Sequence, residues 1–161
     1  MRILKRFIFI LSWLTCFAPS MKAQWATDLS LNNPICTANA YQEEPEITTD
    51  GQGGAIITWY DERNQGNSTD IYAQRISANG MVQWGMNGVP ICVVAEMQIY
   101  PVICSDGHGG AIICWFDTRN VATQDIYAQR IDKNGAVKWT QNGKAICTTA
   151  DHQYLPKLVE D

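Results

Sequence analysis

The chain has 161 residues, 46% of them hydrophobic and 17% charged, with twelve Gly and six Trp. That balance excludes a disordered polyelectrolyte and leaves room for one ordinary domain. Four of the twelve basic residues crowd the first 22 positions, so the remainder carries eight against sixteen Asp and Glu, with no basic stripe. Such a surface argues against nucleic acid and against an anionic membrane as partners.

The first predicted element is a targeting segment over 1–23. Arg2, Lys5 and Arg6 form a positive start, an apolar run follows from Phe7 to Ala18, and Met21-Lys22-Ala23 offers a small residue at the cut. The run is short for a bilayer span, so a secretory signal is the better reading and a membrane anchor its rival. The expectation is a secreted or surface-displayed protein with no membrane insertion after cleavage.

Beyond it the chain repeats itself. Asp-Gly-Gln-Gly-Gly-Ala-Ile-Ile-Thr-Trp-Tyr-Asp-Glu-Arg-Asn opens at Asp50, and a near copy opens at Asp106. Trp59 and Trp115 stand 56 positions apart. From Asp70 and Asp125 onward, through Trp84 and Trp139, the spacing is 55. One residue is lost between Asn64 and Asp70, where a loop absorbs length changes. Pro-Ile-Cys at 34–36 repeats at 90–92, and residues 156–161 answer 101–106. The expected division is 24–44 as the end of a partial unit, 45–100 and 101–155 as two repeats, and 156–161 as the start of another. Repeats are pieces of arrays, so the chain reads as part of a longer protein.

Within one unit the elements run in order. A short strand is predicted over 101–105, a Gly-rich turn over 106–110, and an almost wholly apolar strand over 111–116. A third strand follows over 125–131, then a hairpin signal at Asn134-Gly135. The fourth strand begins over 136–139 and resumes over 144–147 after Asn142-Gly143. No helical period appears outside the leader. Four antiparallel strands per 55-residue unit with a Trp-rich core predict an all-β fold of β-propeller-type blades, in an incomplete array. A sheet with two apolar faces must stack on neighbours to bury both. A β-solenoid has shorter coils, and a sandwich leaves the repetition unexplained.

The pattern DGxGGAIxxWxDxRN, DIYAQRIxxNGxVxW and NGxxIC resembles the propeller-like repeats of large secreted proteins in the Bacteroidota, which often end in a type IX secretion sorting domain. It is similar, more distantly, to the delta-sixty type of secreted repeat. The resemblance covers residues 25–161 and implies architecture more than activity. The Asp-box of sialidases does not match.

Candidate chemistry is sparse. Asp61 and Arg63, like Asp117 and Arg119, form an Asp-x-Arg pair at a strand end, pointing one way. Their repetition argues for structural ion pairs, since a catalytic site is asymmetric. Asp50, Asp106, Asp70 and Asp125 suit turn caps. One carboxylate per turn is too few for calcium, no Cys/His spacing suggests zinc, and no cofactor is implied. Cys36, Cys92 and Cys147 occupy one position in successive units, too far apart for disulfides; pairing of Cys104 with Cys114 stays open. Glu43, Glu44 and Glu62 are the only acids suggesting a glycosidase, and that rests on fold analogy. The better expectation is a non-catalytic extracellular module that binds a glycan or protein through its rim loops, at Asn64, Gln65, Asn67, Asn120, Thr123 and Gln124; a passive spacer is the third reading. Tyr60 and Phe116 could add an aromatic platform, though burial between blades is their expected fate.

Overall fold

The computed structural model describes residues 32–64 and 68–160. The leader over 1–23 and the loop residues Gln65 and Asn67 lie outside the described residues.

The fold is all-β. One four-stranded antiparallel sheet runs β1 (Gln42–Thr49), β2 (Ala55–Asp61), β3 (Asp70–Ile76) and β4 (Val89–Cys92) in spatial order. A second repeats it with β5 (Gln98–Ser105), β6 (Ala111–Asp117), β7 (Asp125–Ile131) and β8 (Lys144–Cys147). No helix occurs among the described residues.

Local chemistry explains each strand. β2 and β6 are runs of Ile and aromatic residues, the types that pack well on a pleated surface. The Asp50 and Asp106 turns cross from β1 to β2 and from β5 to β6 through Gly at positive φ. β3 and β7 share the sequence Asp-Ile-Tyr-Ala-Gln-Arg-Ile and pair with β2 and β6 in the same register: Trp59 opposite Tyr72, Trp115 opposite Tyr127.

Two elements differ from the sequence expectation. The first strand of the second sheet starts at Gln98, three residues before Pro101, because a bulge between Ile99 and Val102 carries the strand past the proline. Pro101 has no ladder N–H, and Tyr100 before it takes φ 51°; Glu44 before Pro45 takes φ 49° in the equivalent bulge. The fourth strand does not begin over 136–139. Only a single bridge joins Val137 to Ile131, and a tight turn closed by Gly143 N to Thr140 O precedes β8.

The sheets pack head to tail. The core joins Ile56, Ile71 and Ala73 of the first sheet to Ala111, Ile113 and Trp115 of the second. These are opposite faces of equivalent strands, since Ile56 corresponds in the repeat to Ile112 and not to Ile113. β5 lies against β1, β2 and β3. A backbone bond from Gln98 N to Thr69 O (2.9 Å) ties the junction, and Gln153 N donates to Gln124 O (2.8 Å) at the equivalent place one unit later.

Candidate functional site

The Asp-x-Arg pair is the centre of a staple between consecutive units. Asp117, wholly buried at the end of β6, accepts from the Trp115 indole (2.8 Å) and from Arg119 Nε (2.9 Å) and Nη2 (2.6 Å). The same Arg119 Nη2 donates to Asn142 O (2.8 Å) of its own unit and to Cys92 Sγ (3.2 Å) of the unit before. The guanidinium carbon sits 3.8 Å over the Tyr127 ring. Arg63 repeats the set: Asp61, the Asn87 carbonyl (2.9 Å), the Cys36 sulfur (3.3 Å) and the Tyr72 ring (3.8 Å). Burial pushes the Asp61 carboxyl up, and hydrogen bonds from Arg63 and Trp59 more than reverse this, so it titrates below the ordinary carboxylate range. Both carboxylate oxygens and the Nε and Nη2 of each arginine are spent inside the fold.

The other repeated aspartates divide into two kinds. Asp50 caps its turn, with Oδ1 accepting from Gln52 N and Gly54 N (2.8 Å each), and its other oxygen pairs with Arg75 Nη2 at 2.9 Å. Asp106 does the same with His108 N, Gly110 N and Arg130. Asp70 and Asp125 cap no turn. They are buried where β3 and β7 begin; Asp70 accepts from Asn64 Nδ2 (2.6 Å), and burial raises its pKa. Trp84 is buried and sends its indole N–H to Lys133 O (3.1 Å) in the turn after β7, whereas Trp139 stays partly exposed.

Sequence reasoning missed two polar repeats. Gln74 and Gln129 are wholly buried: each Nε2 donates to Gly85 O or Thr140 O (2.8 Å), and each Oε1 accepts from Trp84 N or Trp139 N. Gln42 and Gln98 each close the turn before a strand through Nε2, and Gln153 makes the equivalent bond to the Asp151 carbonyl. Their spacing of 56 and 55 was the available signal.

The rim residues fare unequally. Asn120 and Thr123 are used by each other, side chain to side chain at 2.8 Å and backbone to backbone at 2.9 Å. Gln124 gives its carbonyl to Gln153, and its buried Oε1 has no partner among the described residues. Asn64 is exposed and borders a cleft of about 600 Å³ at the outer edge of the junction. Tyr72 and Pro90 line it from the first sheet; Trp139, Gln141 and Asn142 line it from the second.

The Tyr60 hydroxyl donates to Glu43, which pushes its pKa above the ordinary tyrosine value. Glu44 lies in the β1 bulge, and Glu62 N bonds Tyr41 O (3.1 Å) beyond β2. Phe116 is buried and stacks on Tyr154 with centroids 6.2 Å apart. The five described cysteines are free thiols. Cys104 and Cys114 lie diagonally across the β5/β6 pair, Cys104 opposite Ile112 and Cys114 opposite Val102. Among the described residues no group of three or more His, Cys, Asp or Glu gathers as a metal site.

The chain matches no known family, no curated protein and no solved structure.

Proposed function

We propose that this is a secreted or surface-displayed, non-catalytic binding module built of propeller-type blades, of the kind its sequence resembles in type IX-secreted repeat proteins. The observation that carries the reading is how the repeated charged groups are used. Asp61, Arg63, Asp117 and Arg119 are consumed in staples between units, and Asp50, Arg75, Asp106 and Arg130 in turn caps. What varies between units is the loop at 65–69 and 121–124, on a scaffold that barely changes. The head-to-tail packing of equivalent sheets supports blade-like stacking, because each new unit meets its predecessor through the same two faces.

The test is a screen of the full chain against glycans and extracellular protein fractions, with reaction products followed in parallel. Retention without turnover is expected. Release of cleaved glycan, abolished by Glu43→Gln or Glu62→Gln, overturns the reading in favour of a glycosidase.

A further inference from the structure

We propose that the cleft at the junction of the two sheets is a binding site for a neutral saccharide; this rests on the reading of the chain as a non-catalytic binding module. The protein is acidic, yet none of the nine residues lining the cleft carries a formal charge. A charged ligand would find no formal counter-ion among the lining residues. The walls alternate between two chemistries. Pro90, Val93 and Val137 give apolar surface, and the Trp139 indole is 37% exposed beside them. Asn64, Gln141 and Asn142 bring side-chain amides.

Those amides and the indole retain hydrogen-bonding capacity. Asn64 spends its Nδ2 on Asp70 and Tyr72, which fixes the side chain and, among the described residues, leaves Oδ1 as an acceptor. Asn142 spends Oδ1 on Val93 N (3.2 Å), which leaves its NH₂ as a donor. Gln141 and the Trp139 N–H find no partner among the described residues. Two side chains are thus held in orientation by bonds to the scaffold while presenting one acceptor and one donor to the cleft. A pyranose matches this set: its hydroxyls both donate and accept, and its C–H face lies flat on an indole or proline. A cleft of about 600 Å³ has room for a short stretch of an oligosaccharide.

The site also belongs to this junction in particular. Met86 stands one unit earlier where Gln141 stands, and Ala145 one unit later where Pro90 stands, so neighbouring junctions would not reproduce the lining.

Isothermal titration of the full chain with neutral gluco-, manno- and xylo-oligosaccharides, and with oligouronates as charged counterparts, tests the assignment. At least one neutral series binds, and the oligouronates bind at least about tenfold more weakly. Trp139→Ala and Gln141→Ala, both at exposed positions, weaken that binding about tenfold or more at unchanged melting temperature, while Met86→Ala, also exposed, leaves it intact. No binding of any neutral sugar by the wild type overturns the site. So does neutral-sugar binding that survives both cleft variants and disappears on changes in the 120–124 loop, although the module reading then stands. Cleavage of the sugar overturns the module reading itself.

Discussion

The guanidinium of Arg119 lies 3.2 Å from the sulfur of Cys92, a residue of the preceding sheet. The same Nη2 also reaches the Asn142 carbonyl, and together with Nε it holds Asp117, so one planar fork joins two units and closes a turn. Arg119→Ala leaves the buried Asp117 carboxylate with only the indole and a backbone N–H. A loss of about 3 kcal/mol is expected in urea unfolding. Arg119→Lys recovers less than half of it, because an ammonium cannot serve three directions in one plane and also stack on Tyr127. Full rescue by Lys would mean that charge alone matters.

Glycine substitutions separate backbone strain from packing. Gly107 and Gly143 both have positive φ, 70° and 94°. A Cβ on Gly107 meets nothing within 4 Å, whereas one on Gly143 falls 2.4 Å from the Trp115 ring. Gly107→Ala should cost about 1 kcal/mol, the strain alone. Gly143→Ala adds the displacement of a wholly buried indole, for about 3 kcal/mol or more in all. Equal melting temperatures for the two variants would contradict this account of the turn.

Much of this scaffold was legible in the sequence, for physical reasons. The repeat spacing located the equivalent strands, and the apolar run at 111–116, matched at 55–60 save for Thr58, marked sheets covered on both faces. Asn134-Gly135 and Asn142-Gly143 marked turns because only residues tolerant of positive φ serve there. The strand extension to Gln98 was hidden, since Pro101 looked like a beginning and is a bulge. The partners of the Asp-x-Arg pair were hidden too. Cys92 and Arg119 are 27 positions apart and meet only when one sheet docks on the next. The cleft has no sequence signature, because its two walls come from different repeats.

The thiols should separate cleanly by reactivity. Cys92 is wholly buried, and burial pushes its pKa up to about 12; Cys114 is pushed to about 11. Neither supplies thiolate at neutral pH. Cys36 and Cys147 are half-exposed. Brief iodoacetamide treatment of the native chain, read by peptide mass, should label Cys36 and Cys147 and spare Cys92 and Cys114. Native labelling of Cys92 at the rate of Cys147 would show that the junction opens readily.

Acid should act in two opposed stages. Asp50, Asp61 and Asp106 titrate below the usual carboxylate value: burial opposes the charge in each, and hydrogen bonds from Arg75, Arg63, Arg130 and turn N–H groups outweigh it. A carboxylate with a depressed folded pKa contributes stability that is complete above its unfolded value, near 3.8, and is lost as pH falls through the folded value. Asp70 has the opposite sign, because burial raises it. Its ionised form is a cost at neutral pH, relieved as pH falls through the raised folded pKa toward 3.8. The urea midpoint should therefore hold or rise slightly from pH 7 toward pH 4, then fall steeply below. Asp70→Asn should remove the rise, since the titrating carboxyl is gone, and keep the fall, since Asp50, Asp61 and Asp106 remain. Asp106→Asn should shrink the fall and lower the midpoint at pH 7 by about 1–3 kcal/mol of stability, since Arg130 loses its charged partner. A midpoint that climbs steadily down to pH 2 would mean that these aspartates are not held as charged groups in the folded chain.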